Sequence, residues 1–144
     1  MSLWRRTAWD GPHPLHAILL GFPISLFSSA LITDIAYLRT AEIQWTNFSA
    51  WLISGALLFG GIVILWATMS ILLYWRSANH NRRLLYALVL AVMWTCGLVN
   101  IFKHSLDGWS SVETIGLLLS ILCTLLALAA GLIAFASPER NVTR

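Results

Sequence analysis

Residues 48–75 read FSAWLISGALLFGGIVILWATMSILLYW and contain no charged side chain. The stretch is longer than the ~20 apolar residues with which an α-helix crosses ~30 Å of hydrocarbon. A strand of a membrane barrel would alternate apolar and polar residues and would be about half as long. The stretch therefore predicts a transmembrane α-helix.

Three further apolar stretches surround this one, at residues 15–38, 84–102 and 112–136. The connections predicted between the four spans are residues 39–46, 76–83 and 103–111, and each is too short to hold a soluble domain. We therefore predict an all-α fold, in which residues 1–144 form a single transmembrane domain. Its architecture would be an integral membrane four-helix bundle with short loops and spans at about 15–38, 48–75, 84–102 and 112–136.

The composition of the whole chain excludes other protein classes. Hydrophobic residues make up 58% of its 144 residues and charged residues 10%, whereas soluble domains have about 45–50% and about 25%. A water-soluble enzyme and a disordered chain are both excluded by these values. The net charge of +3 does not indicate a nucleic-acid partner, because the basic residues lie in loops and tails. The expected surroundings are lipid.

The basic residues also predict the orientation of the chain in the membrane. One side would hold only Arg39 and Lys103, and the other would hold Arg5, Arg6, Arg76, Arg82, Arg83, Arg140 and Arg144. Lysine and arginine are enriched on the cytoplasmic side of membrane proteins. We therefore expect a multi-pass membrane protein with both termini in the cytoplasm.

Two histidines stand at the start of the first span, where residues 11–16 read GPHPLH. Proline suits the first position of a helix, so His13 is predicted to be the N-cap residue and His16 a residue of the first turn. Imidazoles at this place can ligate a metal or haem iron, hydrogen-bond a quinone or relay protons. The alternative is that they bond lipid headgroups or the free backbone groups at the helix end.

A second polar site is predicted at the opposite, outer end of the bundle. Asp34 follows His16 by eighteen residues, which is about five helical turns, so both project from one side of the first helix. Asn100 and His104 share a face of the third helix. If the first and third helices face each other, Asp34 could contact these residues or Lys103. The site would be an outer quinone or proton site or, alternatively, a structural polar contact.

The motif His13-Pro14-Leu15-His16, followed by residues 21–24 (GFPI) and by Asp34, resembles the first helix of a bacterial membrane-protein family. That family is catalogued as a domain of unknown function, number twenty-two thirty-one. Its members have four predicted spans and are often found beside, or fused to, iron–sulfur proteins or periplasmic quinoprotein sugar dehydrogenases. The resemblance implies a membrane redox module, with b-type haem as a candidate cofactor.

The chain departs from this family near the start of the third helix, where a further histidine is expected and Tyr86 stands instead. Tyr86 therefore joins His13 and His16 as a candidate cofactor-binding residue. If His16 ligates a metal or haem iron, the other candidate ligands are His80 in the second loop and Met69 in the second span. Their alternative roles are a solvated loop residue for His80 and a core side chain for Met69.

These expectations lead to a hypothesis about function. The chain would be an accessory redox subunit of a bacterial inner-membrane respiratory or dehydrogenase complex, anchoring other membrane or periplasmic redox subunits. It would relay electrons to or from quinone, with haem b or quinone as its cofactor, and would not be catalytic alone. The alternative is a purely structural membrane subunit without a cofactor. A small transporter is less favoured, because the spans carry no charge at their midplane and no broken helix pair.

Overall fold

The computed structural model describes residues 13–76, 79–105, 112 and 114–136. Within them the chain forms four α-helices: α1 (Pro14–Thr40), α2 (Ile43–Leu73), α3 (His80–Ser105) and α4 (Thr114–Phe135). Each is long and apolar enough to cross a membrane. The predicted all-α fold with four candidate spans is therefore confirmed. Four arginines used to predict the orientation lie outside the described residues: Arg5, Arg6, Arg140 and Arg144.

The observed helices do not end where the apolar stretches end. α1 continues to Thr40, where Ala41 adopts a left-handed conformation (φ 56°) and donates its N–H to the Tyr37 carbonyl at 2.8 Å. Because α2 begins at Ile43, the loop predicted for residues 39–46 was too long. His80 is the first residue of α3, so its assignment to a loop was also wrong. Hydropathy marks the residues suited to hydrocarbon, whereas backbone hydrogen bonds continue a helix until a cap ends it.

The four helices form an antiparallel bundle in which neighbours in sequence are neighbours in space. α1 packs against α2 and α4, and α3 packs against the same two helices. α1 and α3 are therefore diagonal partners that run in the same direction, and their side chains meet in the centre. We refer to the end that holds the start of α1 as the His16 end, and to the opposite end as the Asp34 end.

The buried positions of the first hairpin, α1–α2, recur in the second, α3–α4. Each buried position of α1 has a buried counterpart 70 residues later in α3; the α1 positions are His16, Leu20, Pro23, Phe27, Ala30 and Asp34. α2 and α4 correspond at a spacing one residue longer, with Ser49, Ile53, Ala56, Gly60 and Val63 matching Ser120, Thr124, Ala127, Gly131 and Ala134. The bundle is thus built from two similar hairpins about an approximate twofold axis.

Small residues let the helices approach one another in the middle of the bundle. A Cβ atom at Gly97 would lie 2.8 Å from Cζ of Phe27, so the absence of a side chain at Gly97 makes room for that ring. Small residues that recur four positions apart are buried in α2 and α4; they are Ala56, Gly60, Gly116, Ser120, Thr124, Ala127 and Gly131. Close backbone approach of this kind favours helix association in lipid.

Two consecutive arginines in the first turn of α3 bind the ends of the neighbouring helices. The Arg82 guanidinium donates to the carbonyls of Ile133, at 2.5 Å, and Ala136. Arg83 donates to the Ser70 carbonyl at 3.2 Å, and its guanidinium carbon lies 4.5 Å from the centre of the Tyr74 ring. The last carbonyls of a helix lack intrahelical donors and carry partial negative charge. The two arginines therefore stabilise the C-terminal ends of α4 and α2.

Candidate functional site

His13 caps helix α1 at the His16 end. Its Nδ1 accepts a hydrogen bond from the Leu15 N–H at 3.3 Å, and Pro14 occupies the first turn. The predicted position of His13 at the N-cap is confirmed. Since a capping side chain satisfies one of the free N–H groups of a helix start, His13 has a structural role independent of any ligand.

His16 and Tyr86 meet in the centre of the bundle at the same end. His16 Nε2 lies 2.8 Å from the Tyr86 hydroxyl, and both residues are buried. They occupy equivalent positions of the two hairpins, one on α1 and one on α3. The structure therefore places Tyr86, which stands where the family resemblance leads us to expect a histidine, directly against His16.

Trp66 of α2 covers both imidazoles of the His16 end. The centre of its ring system lies 5.7 Å from that of His13 and 5.5 Å from that of His16. Tyr86 meets the His16 ring edge-on, with 5.8 Å between ring centroids. The sequence offered little signal for this role, because a tryptophan inside an apolar span is usually a packing residue. The site consists of two imidazoles, a phenol and an indole.

The His16–Tyr86 pair holds one more polar hydrogen than its mutual bond uses. A neutral imidazole carries one N–H and a phenol carries one O–H, and the bond between Nε2 and the hydroxyl uses only one of these. His16 Nδ1 is buried and has no hydrogen-bond partner among the described residues. The pair can therefore donate a hydrogen bond to an acceptor oxygen of a ligand.

The structure gives no support to the predicted metal ligands His16, His80 and Met69. Met69 is 56% exposed on the outer surface of α2. The His80 ring packs edge-on against Trp75, with ring centroids 4.7 Å apart, and His16 Nε2 faces Tyr86. Across residues 13–76, 79–105, 112 and 114–136, no three or more His, Cys, Asp and Glu side chains are grouped to hold a metal ion.

The second candidate site is a buried polar network at the Asp34 end. Asp34 is fully buried and accepts hydrogen bonds from the hydroxyls of Ser49 and Ser120. His104 Nε2 lies 2.9 Å from Oδ1 of Asp34, and Asn100 Nδ2 donates to Ser120 Oγ at 2.9 Å. Asp34 thus joins its own helix to one side chain from each of α2, α3 and α4.

The structure brings together the three residues that the sequence assigns to an outer polar site. Asp34 contacts His104 directly, and Asn100 reaches Asp34 through Ser120. Sequence reasoning missed Ser49 and Ser120 as members of this site. A usable signal did exist, because both serines continue the buried small-residue faces of α2 and α4 towards this end.

A family model described as a predicted membrane protein (DUF2231) matches residues 12–135. The chain belongs to this family. The match of this DUF2231 chain spans all four helices and both polar sites, so the likeness first seen in the HPLH segment extends over the whole bundle. No curated protein and no solved structure matches the chain.

Proposed function

We propose that the chain is an accessory subunit of a redox assembly in a bacterial inner membrane, and that its His16 end binds a quinone. The observation that carries this proposal is the buried His16–Tyr86 pair with its unused polar hydrogen. The association with redox proteins that the family resemblance implies supports the same conclusion.

The chemistry of a quinone suits the residues at the His16 end. Its carbonyl oxygens accept hydrogen bonds from an imidazole N–H or a phenol O–H, and its flat ring packs against an aromatic face such as Trp66. His13 is exposed while its ring lies 5.7 Å from that of Trp66, so His13 marks the side of the site nearest to the surroundings. A quinone with its apolar tail in the lipid would reach the pair from this side and would supply the electron-accepting chemistry.

The protein's own residues would hold and orient such a ligand. His16 and Tyr86 provide the donor hydrogen, and Trp66 limits the position of the ring. Leu20 and Leu90, one turn further into the bundle, are fully buried and keep water from entering below the pair. The role of the site is therefore binding and positioning, while any catalytic domain belongs to partner subunits in or beside the membrane.

The residues at this site do not fit a b-type haem. An axial histidine directs a ring nitrogen at the iron, whereas Nε2 of His16 is bonded to Tyr86 at 2.8 Å. The equivalent position on α3 holds a phenol instead of a second imidazole. For this reason we propose quinone, and not haem, as the ligand.

Quinone binding to the purified protein tests the proposal. The wild type and His80→Ala should bind a short-chain quinone with equal affinity, because His80 lies at the same end but packs against Trp75. His16→Ala should weaken binding by more than tenfold, and Tyr86→Phe should weaken it less. The quinone site would be refuted if His80→Ala and His16→Ala lost the same quinone affinity, or if the wild type bound no quinone.

Reporter fusions test the proposed membrane and orientation. Fusions after Arg144 should report a cytoplasmic C-terminus, and fusions at the Ala41–Glu42 turn should report the periplasm. The opposite pattern would show that the bundle has the inverted orientation in the membrane. Native mass measurement after mild extraction tests for partner subunits. A complex whose mass exceeds that of a whole number of 16.0 kDa chains would contain a second polypeptide.

A purely structural membrane subunit without a cofactor is the second candidate function. It is favoured by the Asp34 network, which ties together all four helices, and by the capping role of His13. Recovery of the protein in a complex with no bound quinone, together with an unchanged complex in His16→Ala, would support this second candidate over the first.

A further inference from the structure

Both ring nitrogens of His104 face oxygen atoms. Nδ1 lies 3.0 Å from the Asn100 carbonyl oxygen, and Nε2 lies 2.9 Å from Oδ1 of Asp34. A carbonyl oxygen only accepts hydrogen bonds, so Nδ1 must carry a hydrogen. A separation of 2.9 Å between Nε2 and Oδ1 likewise requires a hydrogen between them.

The number of protons in the pair follows from this geometry. If the shared hydrogen is on Nε2, the pair is an imidazolium and a carboxylate; if it is on Oδ1, the pair is a neutral imidazole and a carboxylic acid. Both forms have zero net charge and the same proton count. Ser49 and Ser120 also donate to the Asp34 carboxyl group, and both hydroxyl donors suit a carboxylate acceptor.

The charged side chains that the structure describes near the pair cannot replace its shared proton. The described charged residues at this end are Arg39 and Glu42, which are exposed, and Lys103, which is partly exposed. Helix α4 has no charged side chain between Thr114 and Phe135. Loss of the shared proton would leave a buried carboxylate beside a neutral ring, and an uncompensated charge of this kind is costly.

The pair also has an unused acceptor beside it and an apolar barrier behind it. Oδ1 of Asn100 is buried without a hydrogen-bond partner, while Nδ2 of the same amide bonds to Ser120. A buried water needs polar partners of this kind. Towards the His16 end the buried layers of Phe27, Met93 and Leu90 separate the pair from His16 by most of the helix length.

We propose that Asp34 and His104 form a proton-binding site that exchanges one proton with the aqueous phase at the Asp34 end. On release, the N–H bond at Nε2 breaks, its electron pair stays on the nitrogen, and the proton passes to water. The reverse step restores the bond. This site is distinct from the proposed quinone site, and the inference stands whether or not a quinone binds.

Nitrogen-15 NMR of the full chain in lipid nanodiscs tests the proposal, because only four histidines contribute imidazole signals. One imidazole, identified by its loss in His104→Gln, should appear as an imidazolium at neutral pH. It should lose one proton reversibly as the pH rises, while circular dichroism shows an intact bundle. Asp34→Asn replaces the carboxyl group by an amide of similar size. In this variant the imidazolium signal should be lost at neutral pH.

Two further variants separate this site from the rest of the molecule. His16→Ala should leave the His104 titration unchanged, so failure of the quinone proposal would not affect this result. Ser120→Ala removes one donor to Asp34 and should change the pH at which His104 titrates. The proposal is overturned if His104 keeps one protonation state over the whole pH range in which the bundle is folded, or if Asp34→Asn titrates like the wild type.

Discussion

The two ends of the bundle use equivalent positions of the two hairpins for opposite purposes. At the His16 end, His16 and Tyr86 share one hydrogen bond and leave a polar hydrogen unused. At the Asp34 end, one carboxyl group collects donors from three other helices. The unused donor at the His16 end is suited to bind a ligand. The carboxyl group at the Asp34 end is surrounded by hydrogen-bond partners, and such surroundings are suited to hold a charge. A symmetric scaffold can therefore carry two different sites because the side chains at its two ends differ.

Removal of either partner of the Asp34–His104 pair should have the largest effect on stability. His104→Ala leaves a carboxylate in the bundle without its cation, and loss of one partner of a buried pair costs about 3–5 kcal/mol. Asp34→Ala should also destabilise the bundle. The double variant should cost less than the sum of the two, by about 0.6–2 kcal/mol. Unfolding in detergent measures all three free energies, and strictly additive losses would show that the side chains are not coupled.

The apolar layer between the two ends should be sensitive to a single methyl group. Gly97→Ala places a Cβ 2.8 Å from the Phe27 ring, and overpacking of this kind costs about 1–3 kcal/mol. Gly21→Ala is the matched control, because a Cβ there meets nothing within 4 Å. Phe27→Leu should partly rescue Gly97→Ala in the same unfolding measurement. Equal stabilities of the two alanine variants would contradict the packing described.

Loss of one hydroxyl should distinguish the two ends directly. Ser120→Ala removes a donor to a carboxylate, and hydrogen bonds to charged groups contribute about 1.5–3 kcal/mol. Tyr86→Phe removes a bond between neutral groups, which contributes about 0.5–1.5 kcal/mol. Ser120→Ala should therefore lower the free energy of unfolding more than Tyr86→Phe. The reverse order would contradict this ranking of the two hydrogen bonds.

The contact made by Arg82 should give the smallest of these effects. Arg82→Ala removes donors from the Ile133 and Ala136 carbonyls at the end of α4, and helix-end contacts of this kind contribute about 0.3–1 kcal/mol. Arg76→Ala, a change at an exposed arginine of the same end, is the control. Faster amide exchange in the last turn of α4, seen only in Arg82→Ala, would show where the loss occurs.

Several features of the fold and site were predictable from local rules alone. The thickness of hydrocarbon sets the length of a span, which is why four charge-poor stretches predict the helices now seen. The regular pitch of a helix places His16 and Asp34 on one buried face, and it does the same for Tyr86, Met93 and Asn100. Proline at a helix start predicts His13 as the cap. Each of these conclusions depends on one helix at a time.

Contacts between helices were decided only by the tertiary structure. The pitch of a helix sets the direction of each side chain about its own axis, but not which helix lies opposite. Packing places α1 diagonally across from α3, so His16 meets Tyr86 and Asp34 meets His104. It also turns Met69 towards the outside and brings Ser49 and Ser120 to one carboxyl group. Ser49 and Ser120, which the sequence did not assign to a site, become hydrogen-bond donors because the bundle buries an acid beside them.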